Sequence, residues 1–352
     1  MPAVAQLVHT LSYGDAITGE VLAINRVLLE MGIDAKIYAI NQHPLLKGQA
    51  ENYLALPKDF SGRVILHYSL GSPLNQLFRD LNQAQRSLIY HNLTPAKWFD
   101  RVNPRIVADI EAGQRELPEL CAFCDLILSD SEYNAGEIRA LGFDSQVLEL
   151  PLDDNKWSEP ENPGILALLK NDPATHLLHV GRLAPNKCIE DIIKCFYFYH
   201  YKINRQSKLW LVGIDIDTEL YSFSLKRLAQ ELRVDQAVQF VGCLSDQELK
   251  SIYLEADAYL CTSEHEGFCV PVIEAMYFGV PVVAFNSSAL PYTMAASGVL
   301  MSQKDPALMA EIVNEVVTNQ DLRQRLVTAG KKRVAELSLD QFKSRLKSSL
   351  RL

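Results

Sequence analysis

The chain has 352 residues, 48% of them hydrophobic and 22% charged, ordinary proportions for a globular protein of two α/β domains or one large one. Its 34 Lys and Arg against 43 Asp and Glu give a net charge of −9, which argues against a nucleic-acid binder that lives on phosphate contacts, and no apolar run approaches the ~18 residues needed to span a bilayer. Seven scattered cysteines, and an N-terminus lacking a basic segment followed by an apolar one, predict a cytoplasmic chain with reduced thiols.

Apolar runs of strand length alternate with helical ones along the chain. "AVAQLVHTL", "AITGEVLAINRVLLEMG" and "DAKIYAI" read as strand, helix and strand, a βαβ opening that predicts a parallel sheet. "RVILHYSLG", "RSLIYHNL", "CDLILSD" and "SQVLELPL" supply further short strands, each followed by a turn or a helix start, as a doubly wound sheet requires. "LPLDDNKWSEPENPGI" breaks the pattern as a linker. Beyond it, "THLLHVGRL", "SKLWLVG", "AVQFVG", "AYLCTS" and "PVVAF" predict a second parallel sheet, with helices such as "CIEDIIKCFYFYHYK", "YSFSLKRLAQELR" and "DQELKSIYLEA" between its strands. The expected layout is a Rossmann-like domain over 1–155, a second over 156–336, and an amphipathic C-terminal helix over 337–352 free to pack back on the first. A cleft between two such domains is the default binding site.

The most apolar segment, "SEHEGFCVPVIEAMYFGVPVVAF", places Glu266 and Glu274 eight positions apart. Pro271 suits the first turn of a helix running to Gly279, so Glu266 is predicted in the loop and Glu274 in the first helical turn. The amides of Phe268, Cys269 and Val270 then face outward at a positive helix end, a place for an anion or for sugar hydroxyls. The plainer reading has Glu274 complementing the helix dipole and Glu266 solvated. In "HVGRLAPNKCIEDI", Arg182 and Lys187 follow a strand end, and at the carboxyl edge of an open sheet they suit a diphosphate by a forked contact and a point charge.

Other signals carry less. The C-x-x-C of Cys121 and Cys124 lacks a second pair at zinc spacing and reads as core. Asp215 and Asp217 form a D-x-D in a loop or cap, and no metal is inferred from it. His176 and His179 lack ligand partners, His265 adjoins Glu266, and the aromatic "CFYFYHYKIN" reads as part core and part interface, without the basic residues a nucleic-acid platform needs.

"VGRLAPNK", "LWLVG" and "VQFVGCLSDQELKSIYLEADAYLCTSEHEGFCVPVIEAMYFGVPVVAF" resemble, in register, the C-terminal half of the retaining glycosyltransferases of family 4. These adopt the GT-B fold, two Rossmann-like doubly wound domains facing a central cleft. The E-x7-E signature of that family matches Glu266 and Glu274, and its diphosphate-binding Arg and Lys match Arg182 and Lys187. The resemblance implies that Glu266 and the amides of Phe268, Cys269 and Val270 hold the donor sugar, and that Glu274 takes the ribose hydroxyls. Cys269 stands where the family usually has Gly.

The N-terminal half resembles the family more loosely. "SYGDAITGEVLAI" occupies the place of its glycine-rich turn, with Gly14 followed by Asp15 and Ala16 instead of a second Gly. Asp15 is open to two readings, close approach to a ligand or a helix cap. His91, ending the strand in "SLIYHNLTPAKWF", stands where the family has a histidine facing the donor sugar.

By resemblance the chain is expected to move a sugar, with retention and without a metal or other cofactor, from a GDP- or UDP-sugar to a hydroxyl of a saccharide, lipid-linked saccharide or metabolite. A lipid-linked acceptor would bring peripheral membrane contact. Rival readings are a nucleotide-sugar epimerase of the same fold and a non-catalytic nucleotide-sugar binding module.

Overall fold

The structure is a computed structural model and describes residues 3–352. It divides into two compact units, one of residues 1–97, 104–153 and 337–352, the other of 98–103 and 154–336. The sequence reading put the first boundary at 155/156; the structure divides after Asp153 and groups the short segment 98–103 with the second unit.

The first unit is built on seven strands, β1 (Val4–Leu11), β2 (Ala35–Gln42), β3 (Glu51–Asn52), β4 (Arg63–Tyr68), β5 (Gln85–Tyr90), β6 (Leu126–Ser129) and β7 (Gln146–Val147). They pair in parallel in the order β3-β2-β1-β4-β5-β6-β7. The order reverses direction between β1 and β4, the topological switch point at whose carboxyl end such sheets bind ligands. Both faces of the sheet are covered, as a parallel sheet demands. One face carries Leu7, Leu66, Phe78, Leu88 and Leu120, the other Ile24, Val27, Leu28, Ile65 and Leu128.

The second unit has β8 (Thr175–Val180), β9 (Ser207–Val212), β10 (Val238–Gly242), β11 (Ala258–Cys261), β12 (Val282–Phe285) and β13 (Val299–Met301). They are again all parallel, in the order β10-β9-β8-β11-β12-β13. Its switch point lies between β8 and β11. The aromatic segment forms the helix Ile189–Phe198 and a π-helical turn, Tyr199–Ile203. Phe196 and Tyr199 are buried against Met309 and Val313, so this stretch is core of its own unit.

The C-terminal helix Leu339–Leu350 places Phe342, Leu346 and Leu350 on one face at helical spacing. All three are buried in the first unit's core against Val4, Ile24 and Leu28. Among the described residues, no helix is long and apolar enough to cross a membrane.

Candidate functional site

In the second unit the loops after β8 and β11 lie side by side at the switch point and are stitched together. Asn186 donates its side-chain amide to the His265 carbonyl (3.0 Å) and accepts from the Glu264 amide (2.9 Å), and the Thr262 hydroxyl donates to the Cys188 carbonyl (2.8 Å). This framework sets Lys187 against Glu266, with Nζ 2.7 Å from both carboxylate oxygens. Glu266 is 6% exposed. Burial works to raise its carboxyl, but the Lys187 ammonium outweighs it and holds it below the usual range. Lys187 is pushed up in turn, since Glu266 more than offsets the cost of burying the ammonium.

Glu274 sits in the second turn of the helix Val270–Tyr277, not in the first as the Pro271 position suggested. The helix begins one residue earlier, with Cys269 as its cap, so Pro271 is its second residue. The Glu274 carboxylate is buried and takes hydrogen bonds from Lys156 Nζ (2.7 Å) and the Tyr253 hydroxyl (3.0 Å). Neither partner was singled out from sequence. Lys156 stands among the linker's charges, and Tyr253 reads as an ordinary apolar-face residue of its helix.

Cys269 has φ 80° and ψ 68°. This is the left-handed region, where a residue with a Cβ costs about 1–2 kcal/mol and glycine costs nothing. The departure from the family's glycine is therefore one of side chain, while the backbone keeps the glycine conformation. Among the described residues, no backbone carbonyl accepts from the amides of Phe268, Cys269 or Val270.

Arg182 does not join the Lys187–Glu266 pair. Its guanidinium donates to the Ile216 carbonyl (2.6 Å), on the loop of the D-x-D sequence. There Asp217 adopts a left-handed conformation and Thr218 bonds back to the Asp215 and Leu183 carbonyls, so the two aspartates belong to a turn. His179 is buried with its Nδ1 2.8 Å from the Leu260 carbonyl, and burial pushes it down to about 4, so it is neutral. His265 is buried, and its carbonyl serves the loop stitching.

In the first unit, Gly14 has φ 77°, a conformation that glycine adopts without strain. Asp15 caps the helix Ala16–Glu30, its Oδ2 accepting from the Thr18 amide (3.0 Å), and Ala16 is that helix's exposed first residue.

The side chain of His91 is fully enclosed, and in this arrangement both ring nitrogens are engaged by protein groups. The proton order can be read from the far end. Gln6 donates to the Val21 carbonyl (3.1 Å), which turns its oxygen toward His67 Nε2 (2.9 Å), so that nitrogen carries hydrogen. His67 is kept neutral by burial, leaving its Nδ1 to accept from His91 Nε2 at 2.9 Å. His91 Nδ1 then donates to Asp130 (2.9 Å), with Glu20 3.3 Å away. His91 is therefore an imidazolium. Burial works to lower it, but Asp130 and then Glu20 prevail and raise it to about 9. Burial, with the Asp130 charge adding, pushes the Glu20 carboxyl up to about 8.

Two clusters among the described residues gather potential metal-ligand atoms within 4.8 Å: Glu20, His67 and His91, and Cys261, Glu266 and Cys269. In the first, the imidazole nitrogens are already committed to one another, to Gln6 and to Asp130. Cys121 is buried and Cys124 half-buried, with no third ligand among the described residues beside them.

Two parallel sheets in tandem, each in doubly wound order with its loops gathered at a switch point, make this a GT-B protein. Residues 167–333 match the family of glycosyl transferases group 1. A D-inositol 3-phosphate glycosyltransferase of Corynebacterium jeikeium is 34% identical over 101 residues, 28% of this chain and 24% of that protein. The matched stretch thus spans about a quarter of the length of such curated relatives. Sucrose-phosphate synthase from Thermosynechococcus elongatus aligns over 100% of this chain and 98% of its own, with a TM-score of 0.80 at 16% identity. Anabaena HepE, solved in complex with UDP-glucose, aligns over 99% of both chains with a TM-score of 0.75 at 16% identity.

Proposed function

We propose that the chain is a retaining, metal-independent glycosyltransferase that uses a nucleoside-diphosphate sugar. The observation that carries this reading is the buried Lys187–Glu266 pair, set at the switch point of the sheet that matches the glycosyl transferases group 1 family. The pair is self-neutralising, and each member suits one part of such a donor. When a diphosphate enters, Lys187 transfers its hydrogen bonds from the carboxylate to phosphate oxygens. Glu266, released, accepts from the hydroxyls of the donor sugar, while the amides of Phe268, Cys269 and Val270 supply donors at the helix start. Glu274 accepts from the ribose hydroxyls as Lys156 moves off it.

In the reaction the bond from the anomeric carbon to the diphosphate breaks, and charge builds on the leaving oxygen. Lys187 and Arg182 neutralise it, a contribution on the order of 10²–10³ in rate for one well-placed donor. The acceptor hydroxyl attacks from the same face and passes its proton to the departing phosphate oxygen. Glu266, released from Lys187 and accepting from the sugar hydroxyls, positions the sugar and makes no covalent bond to it. The acceptor is a hydroxyl of a saccharide, lipid-linked saccharide or metabolite, taken by the first unit near Gly14 and Asp15. The His91 imidazolium acts there as a fixed positive charge.

Thermal melting across a panel of nucleoside diphosphates and their sugars, with and without EDTA, tests this. One base should raise the melting temperature in a way that survives chelation. Lys187→Ala and Glu266→Ala should each abolish that shift and lower turnover at least ~100-fold. No shift with any nucleotide at millimolar concentration would overturn the reading.

A further inference from the structure

Glu266 has a second set of neighbours that donor chemistry does not use. Cys261 ends β11, and Cys269 caps the next helix. The loop between them folds back so that the two sulfurs and a Glu266 oxygen lie within 4.8 Å of one another, with Cys261 Sγ 3.4 Å from the Ser263 hydroxyl. We infer that Cys261, Cys269 and Glu266 form a binding site for a thiophilic divalent cation of the zinc or cadmium kind.

Tetrahedral coordination with metal–sulfur bonds of about 2.3 Å puts two thiolate sulfurs about 3.8 Å apart. A cluster already inside 4.8 Å closes on a cation with side-chain movement alone. The donor set selects the metal: two soft sulfurs and one carboxylate suit zinc or cadmium and not magnesium or calcium, which require oxygen ligands. Charge agrees as well. Two thiolates and a carboxylate beside the Lys187 ammonium leave two negative charges, which a divalent cation cancels. Cys269 is half-buried, giving the ion a way in, whereas Cys261 and Glu266 are buried. A thiol also stands at position 269 on a backbone that glycine would occupy without strain.

Binding forms two metal–sulfur bonds and one metal–oxygen bond. The two thiol protons pass to solvent, and Lys187 gives up at least one of its bonds to Glu266. The site requires no particular donor. On the proposed glycosyl-transfer reading, the cation and the donor sugar would compete for Glu266.

The test is a titration of the reduced full chain with cadmium ion, followed by the thiolate-to-cadmium charge-transfer absorption in the ultraviolet. The band is expected to saturate near about one equivalent and to fall as zinc is added in competition. Cys269→Gly should lose the band while folding normally, since its backbone conformation suits glycine. Cys261→Ala should lose it too, and Cys269→Gly decides alone if that core variant does not fold. Cys124→Ser and the exposed-site variant Cys243→Ser should keep it. Absence of a band in the wild type, its persistence in Cys269→Gly, or its loss in Cys124→Ser would overturn the assignment, the last by placing the metal on the C-x-x-C. None of these results depends on nucleotide binding, so this inference can fail while the donor reading stands, and the reverse.

Discussion

Lys187 and Glu266 hold each other's charge in a buried site, so removing either leaves the other unpaired. Lys187→Met should destabilise the second unit by about 2–4 kcal/mol, and adding Glu266→Gln should restore most of it, as followed by denaturant unfolding. Cys269→Gly should leave stability unchanged or raise it by up to ~1 kcal/mol, because it removes a Cβ from left-handed backbone. The His91 cluster predicts a pH dependence. Glu20 keeps its proton to about 8 in the folded unit against 4.5 normally, and His91 to about 9 against 6.5. In both cases the folded state holds more protons than the unfolded one, so stability declines as pH rises. The decline runs from about 4.5 to 8 for Glu20 and from about 6.5 to 9 for His91. Below about pH 6.5 the buried neutral His67 and His179 oppose this decline, so melting temperature should fall between about 6.5 and 8, and Glu20→Gln should lessen that fall. Glu266, Glu274, Arg182 and Lys187 were all legible as residue types at telling places in the chain. Their partners were not. Lys156 reaches Glu274 across 118 positions, and Asp130 meets His91 across 39, separations that only the packed sheet brings together.

At the level of elements, the long apolar runs announced their strands because a parallel sheet covered on both faces leaves little room for polar residues. The two-residue edge strand β3 and the three-residue β13 gave no periodicity to read, and "SQVLELPL" shrank to β7. Helix offsets of one residue, as at Glu274, arise because a proline suits either of the first two helical positions. The C-terminal helix was recognisable from its amphipathic pattern, but its docking place was not, since an apolar stripe does not name its partner. Phe342→Ala on that helix should cost the first unit about 3–5 kcal/mol, visible as a lowered melting transition. Gly213, just after β9, is as demanding. A Cβ there would lie 1.9 Å from the Gly181 carbonyl oxygen, so Gly213→Ala should displace the loop that carries Arg182 and lower the melting temperature.

For the whole molecule, the chain leaves the first unit after Asp153 and returns to it at Leu337. A chain ended at residue 336 should therefore lose amide-exchange protection in β1 and in the helix Ala16–Glu30 while keeping it in β8 and β11. The same return has a bearing on synthesis. Residues 337–352 leave the ribosome only after residues 154–336 have done so, and Val4, Ile24 and Leu28 wait for Phe342, Leu346 and Leu350 to cover them. The unit translated first is thus the one that finishes second. Throughout that interval the nascent chain carries an uncovered apolar face, which a chaperone could hold and another copy could adhere to.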